Sequence, residues 1–491
     1  MRSLSRPIYR GLTALSLVSM MLVAGGGAQA STVRHPTQAS MTLRIAWFKW
    51  PPGDALQVLG NYYHATHPNI TIKVDEVPAG QWATFQFTQF AAHHTSFQMN
   101  VGDSQWLGEE STNHWDLDLT SWIKANLNVN DYNPYLFASY GQYPQRKPGT
   151  TGGVDLVHGH FYGVPFESDA LAFAYRKDLF NNPANRRAFK AKYGFALGVP
   201  KSWTQLMDEA AFFTRPAQHL WGIGVHQAAT YDAAAEYFDQ ILWNWGGELW
   251  NANTGQIQGV VNDFHGVAAL NFAKQLTHYA PPGSGNWWFD DVTSAFNQGE
   301  IAIANNWWGF LPSLLDPSKS KLGKTRAQLI NQKVGFFIPP GQTFHGKYHH
   351  WVALGGQGLS ISAFDSPAQI KASEDFIKWS QSFPIQARWI RLGGGPTTKT
   401  ALNSRVFHRA EPFAGLEAQS YKLVKDFWNV PDYANMLDIQ GRDLNAVLTG
   451  GKTVTDALND MATKQQHFLC QGVKLGREPK WSYCLSHPGA F

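Results

Sequence analysis

The segment from residue 161 to residue 180 constrains this chain most. Residues 161–167 read as an extended strand leaving a tight turn, and residues 172–180 as a second strand that runs into a helix. Between them stand two carboxylates, Glu167 and Asp169, in otherwise apolar surroundings. Taking a carboxylate out of water is costly unless hydrogen-bond donors meet it, so the placement implies a built environment around both groups.

The rest of the chain extends this into an alternating α/β pattern. Residues 43–47 read as a buried strand, and Pro51-Pro52-Gly53-Asp54 then opens a helix with apolar positions at Leu56, Leu59 and Tyr63. His67-Pro68-Asn69 ends that helix, and residues 70–74 alternate as a strand. Strand, helix and strand in this order predict a βαβ unit with parallel pairing. A short strand is expected at 99–103, with Asp103, Gln105 and Trp106 at its end. Ser202 with Gln205, and Ser366 with Gln369 across a proline, carry the capping-box pattern. Gly393-Gly394-Gly395-Pro396 stops a helix, and a last helix is expected from about Thr453.

The first 30 residues read as a cleaved signal peptide. Arg2, Arg6 and Arg10 precede an uncharged, mostly apolar stretch at 11–23, and Ala28-Gln29-Ala30 offers a cleavage site. That stretch is shorter than the roughly 20 residues needed to span a bilayer, and no cysteine follows it for lipid attachment. The segment has three arginines and no acids, so its removal takes the formal charge from +4 to +1. A nearly neutral surface argues against nucleic acid as a partner. About 460 remaining residues exceed one ordinary core, so two or more domains are expected. Cys470 and Cys484, the two cysteines of the chain, read as one local disulfide in an oxidising compartment.

Several passages together resemble extracellular solute-binding protein family 1, the sugar-binding proteins of ATP-driven importers, of which maltose-binding protein is the type. These are the crossover at 161–180, His67-Pro68-Asn69-Ile70, the Pro200-to-Leu206 helix start, residues 295–302, and residues 448–458. The resemblance implies a two-lobed α/β fold, each lobe a mainly parallel sheet flanked by helices, with the ligand cleft between them. The division it implies is residues 41–164 and 301–356 for the N-terminal lobe, and 168–298 and 358–468 for the C-terminal lobe. Residues 469–491 form an extension holding the disulfide. An insertion at 141–160 is rich in glycine and proline.

Twenty tryptophans stand in the chain, several in pairs. An indole presents a rigid apolar face and one N–H, which suits stacking on a pyranose ring. Tryptophans in polar loops at strand ends are the candidates for that role: Trp50, Trp106, Trp243 with Trp245, and Trp308. Asp103, Gln105, Glu167, Asp169, Asn306, Gln357 and Arg391 supply the polar groups that sugar hydroxyls need. By similarity to the family, these positions face the cleft.

Other chemistries find little support in the residues. Residues 341–347 match the spacing of a phosphate loop, but Tyr348 replaces the hydroxyl residue that would hold magnesium. The histidine pairs lack the companions of a metal site, and no nucleophile elbow occurs. A glycosidase would need two carboxylates about 5–9.5 Å apart, a part open only to Glu167 and Asp169. The expectation is therefore a periplasmic, monomeric, cofactor-free binding protein without catalytic residues. It would close on a sugar or small oligosaccharide and deliver it to an inner-membrane ABC permease. A polyol, glycerol phosphoester or polyamine ligand is the alternative within the same fold.

Overall fold

The computed structural model describes residues 40–144, 159–427 and 429–489. The expected signal peptide, all but the last residue of the N-terminal arm at 31–40, and most of the 141–160 insertion lie outside the described residues.

β1 (Met41–Phe48) buries Leu43, Ile45 and Trp47. The helix Pro51–Thr66 follows, with proline in its first turn, and lays Leu56, Leu59 and Tyr63 against the sheet. β2 (Ile70–Val77) then returns parallel to β1, from Met41 opposite Ile70 to Phe48 opposite Val77. β3 (Met99–Asp103) also runs parallel to β1. The expected βαβ opening is thus present, and its helix sits close enough that a Cβ on Gly60 would meet the Ile72 side chain at 2.7 Å.

The remaining strands of the main sheet are β4 (Gly163–Arg176), β5 (Trp221–Gly224), β6 (Ile301–Trp307), β7 (Val334–Phe337), β8 (Val352–Ile361) and β9 (Val424–Lys425). The main path across the sheet is β2-β1-β3-β8-β4-β6-β5, with β7 also on β4 and β9 on β8. β4 is the member that joins the two halves. Its first part pairs antiparallel with β8, and its second part, from Leu171 onward, with β6 and β7. All but its last two residues are buried.

Sequence reading broke β4 into two strands, whereas the structure keeps one. The irregularity is absorbed as a bulge: Gln357 stands opposite Glu167 but Gly358 opposite Pro165, leaving Phe166 unmatched. Glycine is required at the facing turn of β8. Gly356 has φ +90°, and a Cβ there would lie 2.4 Å from the Glu167 carbonyl oxygen.

These nine strands are connected in one sheet, so their pairing by itself does not test the expected lobe division. β6, expected in the N-terminal lobe, lies beside β5 and pairs parallel with it. Gln357–Ile361 of β8, expected in the C-terminal lobe, pairs with β3. The glycine-then-strand pattern at 299–301 marks a return to the sheet, but periodicity does not say which neighbour a buried strand will take.

Ser202 caps its helix by accepting from the Gln205 N–H, but the Gln205 side chain accepts from the Lys201 N–H, so the reciprocal bond of a capping box is displaced by one residue. Ser366 and Gln369 form the full box. Cys470, on the helix Val454–Leu475, is joined to Cys484 with a Cα separation of 5.1 Å. Trp481 packs edge-on against Trp250 and fixes the tail to the body. Among the described residues no helix is long and apolar enough to cross a membrane.

Candidate functional site

Strand ends converge on one enclosed cavity. Phe48 and Trp50 come from the end of β1 and the turn after it, Asp103 from the end of β3, and Asp169 from the middle of β4. Trp307 comes from the end of β6, and Gly355, Gly356 and Gln357 from β8. Tyr231 and Asp232 precede the helix Ala233–Asn244, Trp288 and Phe289 open the helix Phe289–Gln298, and Phe310 follows β6. The space between the lining atoms is about 360 Å³.

Six of these side chains form a closed ring of aromatic contacts. Phe48 meets Trp50 at 5.1 Å between centroids, and Trp50 meets Phe310 at 5.8 Å. Phe310 stacks on Phe289 at 4.4 Å, and Phe289 touches Trp288 at 4.1 Å. Trp288 lies 5.3 Å from Tyr231, which closes on Phe48 at 6.1 Å. Tyr231 takes φ +53°, a left-handed conformation that an aromatic residue adopts only under constraint. Its hydroxyl donates to Asp103 Oδ2 at 3.1 Å, which supplies part of that constraint.

The polar groups of the cavity are acids and amides. Asp103 also accepts from Gln357 Nε2 at 3.4 Å and from the Ser104 hydroxyl at 3.3 Å. Burial nevertheless pushes it from the ordinary 3.8 up to about 6. Asp169 accepts from the Ala170 N–H at 2.8 Å and the Gly309 N–H at 3.3 Å, and burial raises it to about 8. Burial, aggravated by the nearby Asp103 charge, raises Asp232 well above the carboxylate range. Trp50 Nε1, Asp232 Oδ1 and Gln357 Oε1 are buried without a hydrogen-bond partner. Among the described residues no lysine, arginine or histidine lines the cavity.

Of the residues singled out from sequence, Trp50, Asp103, Asp169 and Gln357 line this cavity. Gln105 and Trp106 stand behind Tyr231: Gln105 beside its hydroxyl, Trp106 edge-on at 5.0 Å. Asn306 holds the wall from outside, donating to the Phe289 carbonyl and the Thr293 hydroxyl, both at 2.9 Å.

The other five lie elsewhere. Glu167 lines a second hollow with Trp308 and Glu417, and its Oε2 accepts from Trp389 Nε1 and the Gly395 N–H. Trp308 stacks on Phe413 and donates to the Ser420 hydroxyl. Trp243 is buried beneath Lys425, and Trp245 packs on Phe272, because both belong to the inner side of the helix Ala233–Asn244 and its end. Arg391 ends the helix Phe383–Arg391 and lines an open surface hollow with Arg405 and Arg409.

Phe48, Tyr231, Asp232, Trp288, Phe289, Trp307 and Phe310 complete the cavity and were not singled out. Strand parity was the signal available for one of them. Trp307 is the last residue of β6 and its successor Trp308 begins a helical turn, so adjacent indoles serve opposite sides.

The sequence profile of the bacterial extracellular solute-binding proteins matches residues 49–384. The mannitol-binding protein of Pseudomonas aeruginosa is 25% identical over 321 residues, covering 62% of this chain and 68% of that protein. The putative ABC transporter periplasmic-binding protein YcjN of Escherichia coli is 23% identical over 317 residues, covering 62% and 65%. This chain thus spans about two thirds of the length of either relative. Among solved structures, a solute-binding protein of Agrobacterium radiobacter K84 in complex with ribitol superposes with a TM-score of 0.73 at 25% identity, covering 87% of this chain and 99% of that one. Maltose-bound MalE3 of T. maritima gives 0.71 at 23% identity, over 87% and 100%. The two-lobed binding-protein fold is therefore present. With its profile matched over more than half its length, the chain belongs to the bacterial extracellular solute-binding proteins, which capture small solutes outside the cytoplasmic membrane and are not enzymes.

Proposed function

We propose that this protein is the ligand-capturing component of an ABC importer, and that it closes on one small polyhydroxylated solute, an alditol or a single sugar unit. The closed aromatic ring around the cavity carries this reading. Indole and phenyl faces pack on C–H surfaces, while Asp103, Asp169, Asp232 and Gln357 present acceptors at the edge, as hydroxyl groups require. A cavity bounded by a single ring of six aromatic side chains favours a single unit over the oligosaccharide considered from sequence. A phosphoester is disfavoured because no cation lines the walls.

The relatives point the same way: one is named for mannitol, and one solved structure holds ribitol. We further read the protein as a monomer, exported by its N-terminal segment and docking on a membrane permease once closed. Thermal unfolding with mannitol, ribitol, sorbitol, monosaccharides and maltose tests the ligand. A solute at 100 times its dissociation constant should add about 2.7 kcal/mol. A shift with alditols or monosaccharides supports the reading, and a shift with maltose alone overturns it.

A further inference from the structure

The cavity is lined by more carboxyl groups than a neutral polyol requires. Three of them, Asp103, Asp169 and Asp232, stand in its wall, and among the described residues no cationic side chain does. More acids stand behind them. Glu236 and Asp239 follow Asp232 at helical spacing on one buried helix, and the Asp103 charge bears on Glu236 and on Asp426. Lys425 is a cation near this group, and it is held by Glu248 at 2.6 Å and acts on Asp239 rather than on the cavity acids. Tyr231 and Gln357 hydrogen-bond Asp103, and the Trp288 indole with backbone N–H partly offsets the burial of Asp232, but none of these carries charge.

Two independent features point to what would complete such a site. Asp232 Oδ1 and the Trp288 indole N–H beside that carboxyl are both buried in the cavity wall without a well-formed hydrogen bond, so Asp232 Oδ1 is free to accept from a ligand donor. The surrounding ring presents the faces of two tryptophans, a tyrosine and three phenylalanines, and aromatic faces attract cations most strongly where water is excluded. A metal ion does not fit this arrangement. Among the described residues no group of three histidine, cysteine, aspartate or glutamate side chains could hold one. A hydrated anion is excluded by the sign of the walls.

We infer that the solute carries an amine among its hydroxyl groups, an amino-alditol or amino sugar whose ammonium is held between Asp232 and Asp103 inside the aromatic ring. This rests on the polyhydroxylated-solute reading and narrows it. The ammonium supplies the donors that Asp232 Oδ1 lacks and the countercharge that the acids lack, while the hydroxyls take Gln357 and Trp50 Nε1.

The test compares two probes that differ by one group: sorbitol and 1-amino-1-deoxysorbitol, titrated calorimetrically into the mature protein at neutral pH. The amine is expected to bind about tenfold tighter or more, since a desolvated charge pair distinguishes them. In Asp232→Asn and, separately, Asp103→Asn, the ratio of the two affinities should fall toward unity whatever happens to sorbitol affinity itself, with circular dichroism and the melting temperature reporting that each variant is folded. Equal affinity for the two probes, or tighter sorbitol binding, overturns the inference and leaves the polyol reading standing. A preference unchanged in both variants overturns the assignment to these carboxylates. Failure of both probes to bind, with mannitol and ribitol equally silent, overturns the polyol reading and this inference with it.

Discussion

The Trp389 indole N–H donates to Glu167 Oε2 at 3.0 Å, linking residues 222 apart in the chain. The same oxygen accepts from the Gly395 N–H at 2.8 Å. Phe166, the unmatched residue of the bulge, packs against the Trp389 ring at 4.9 Å. Glu167 thus ties the long strand β4 to the glycine-rich turn after the helix Phe383–Arg391.

Burial and the neighbouring Asp169 charge raise Glu167 well above the usual carboxylate range, which favours its neutral form. Glu167→Gln keeps an acceptor for both donors and should leave the melting temperature nearly unchanged. Glu167→Ala strands two buried donors and should cost about 1–3 kcal/mol. Neither should alter solute affinity beyond what its effect on folding explains, since Glu167 does not line the cavity. A large affinity loss in the glutamine variant, with unfolding unchanged, would restore Glu167 to the binding site.

Trp50 is tested through its indole nitrogen. Nε1 is buried without a partner, and the ring sits between Phe48 and Phe310. Trp50→Phe retains an aromatic wall and removes the donor. The unliganded protein should stay within about 1 kcal/mol of the parent, because lost packing is offset by removal of an unsatisfied polar group. Affinity for the solute should fall about tenfold, the worth of one hydrogen bond in a dry site. Unchanged affinity by calorimetry would show that the indole serves only as a wall.

The contrast between Trp50 and Trp308 shows how far the sequence carries. Element order, the βαβ opening, Asp103 at a strand end and the Cys470–Cys484 pair all follow from local rules: period, turn residues and spacing. Which of two adjacent indoles faces a cavity depends on where a strand stops, and a shift of one residue reverses it. Tyr231 and Asp232 were illegible for another reason. Their left-handed turn uses neither glycine nor asparagine, so it leaves no mark in composition. The bulge at Phe166 depends on pairing with a strand nearly 200 residues later, which no local window contains.

The disulfide is expected to hold the C-terminal extension without touching recognition. Cys470 and Cys484 are 14 residues apart, and closing such a loop stabilises by roughly 3 kcal/mol in the chain-entropy model. Replacing both by serine should lower the unfolding midpoint accordingly. Among the described residues none beyond Gln357 lines the cavity, so solute affinity should be unchanged. A variant that folds but loses affinity would instead couple the tail to the cleft.

Acidic pH should stabilise the unliganded protein. Asp103 and Asp169 rise from 3.8 to about 6 and about 8, in each case chiefly through burial. A carboxyl raised in the folded state favours folding fully below its unfolded value, and that contribution is lost as pH climbs through the folded one. Asp426 and Glu417, pushed by burial to about 7 and about 8, act in the same direction. Of the opposing groups, Asp118 and Asp178 are lowered by hydrogen bonds and ion pairs, so their stabilisation is lost only as pH falls below about 4. His226, lowered by burial from 6.5 to about 3, favours folding as pH rises through 6.5 and offsets only part of the effect of the four raised carboxyl groups. The melting temperature should therefore decline from pH 5 to pH 8. Asp169→Asn should flatten that decline and melt above the parent at pH 8, because the amide cannot ionise in the buried site. A parent melting temperature that rises steadily from pH 5 to pH 8 would mean that these carboxyl groups are charged and compensated in the folded protein, contrary to the unpaired environment described for them.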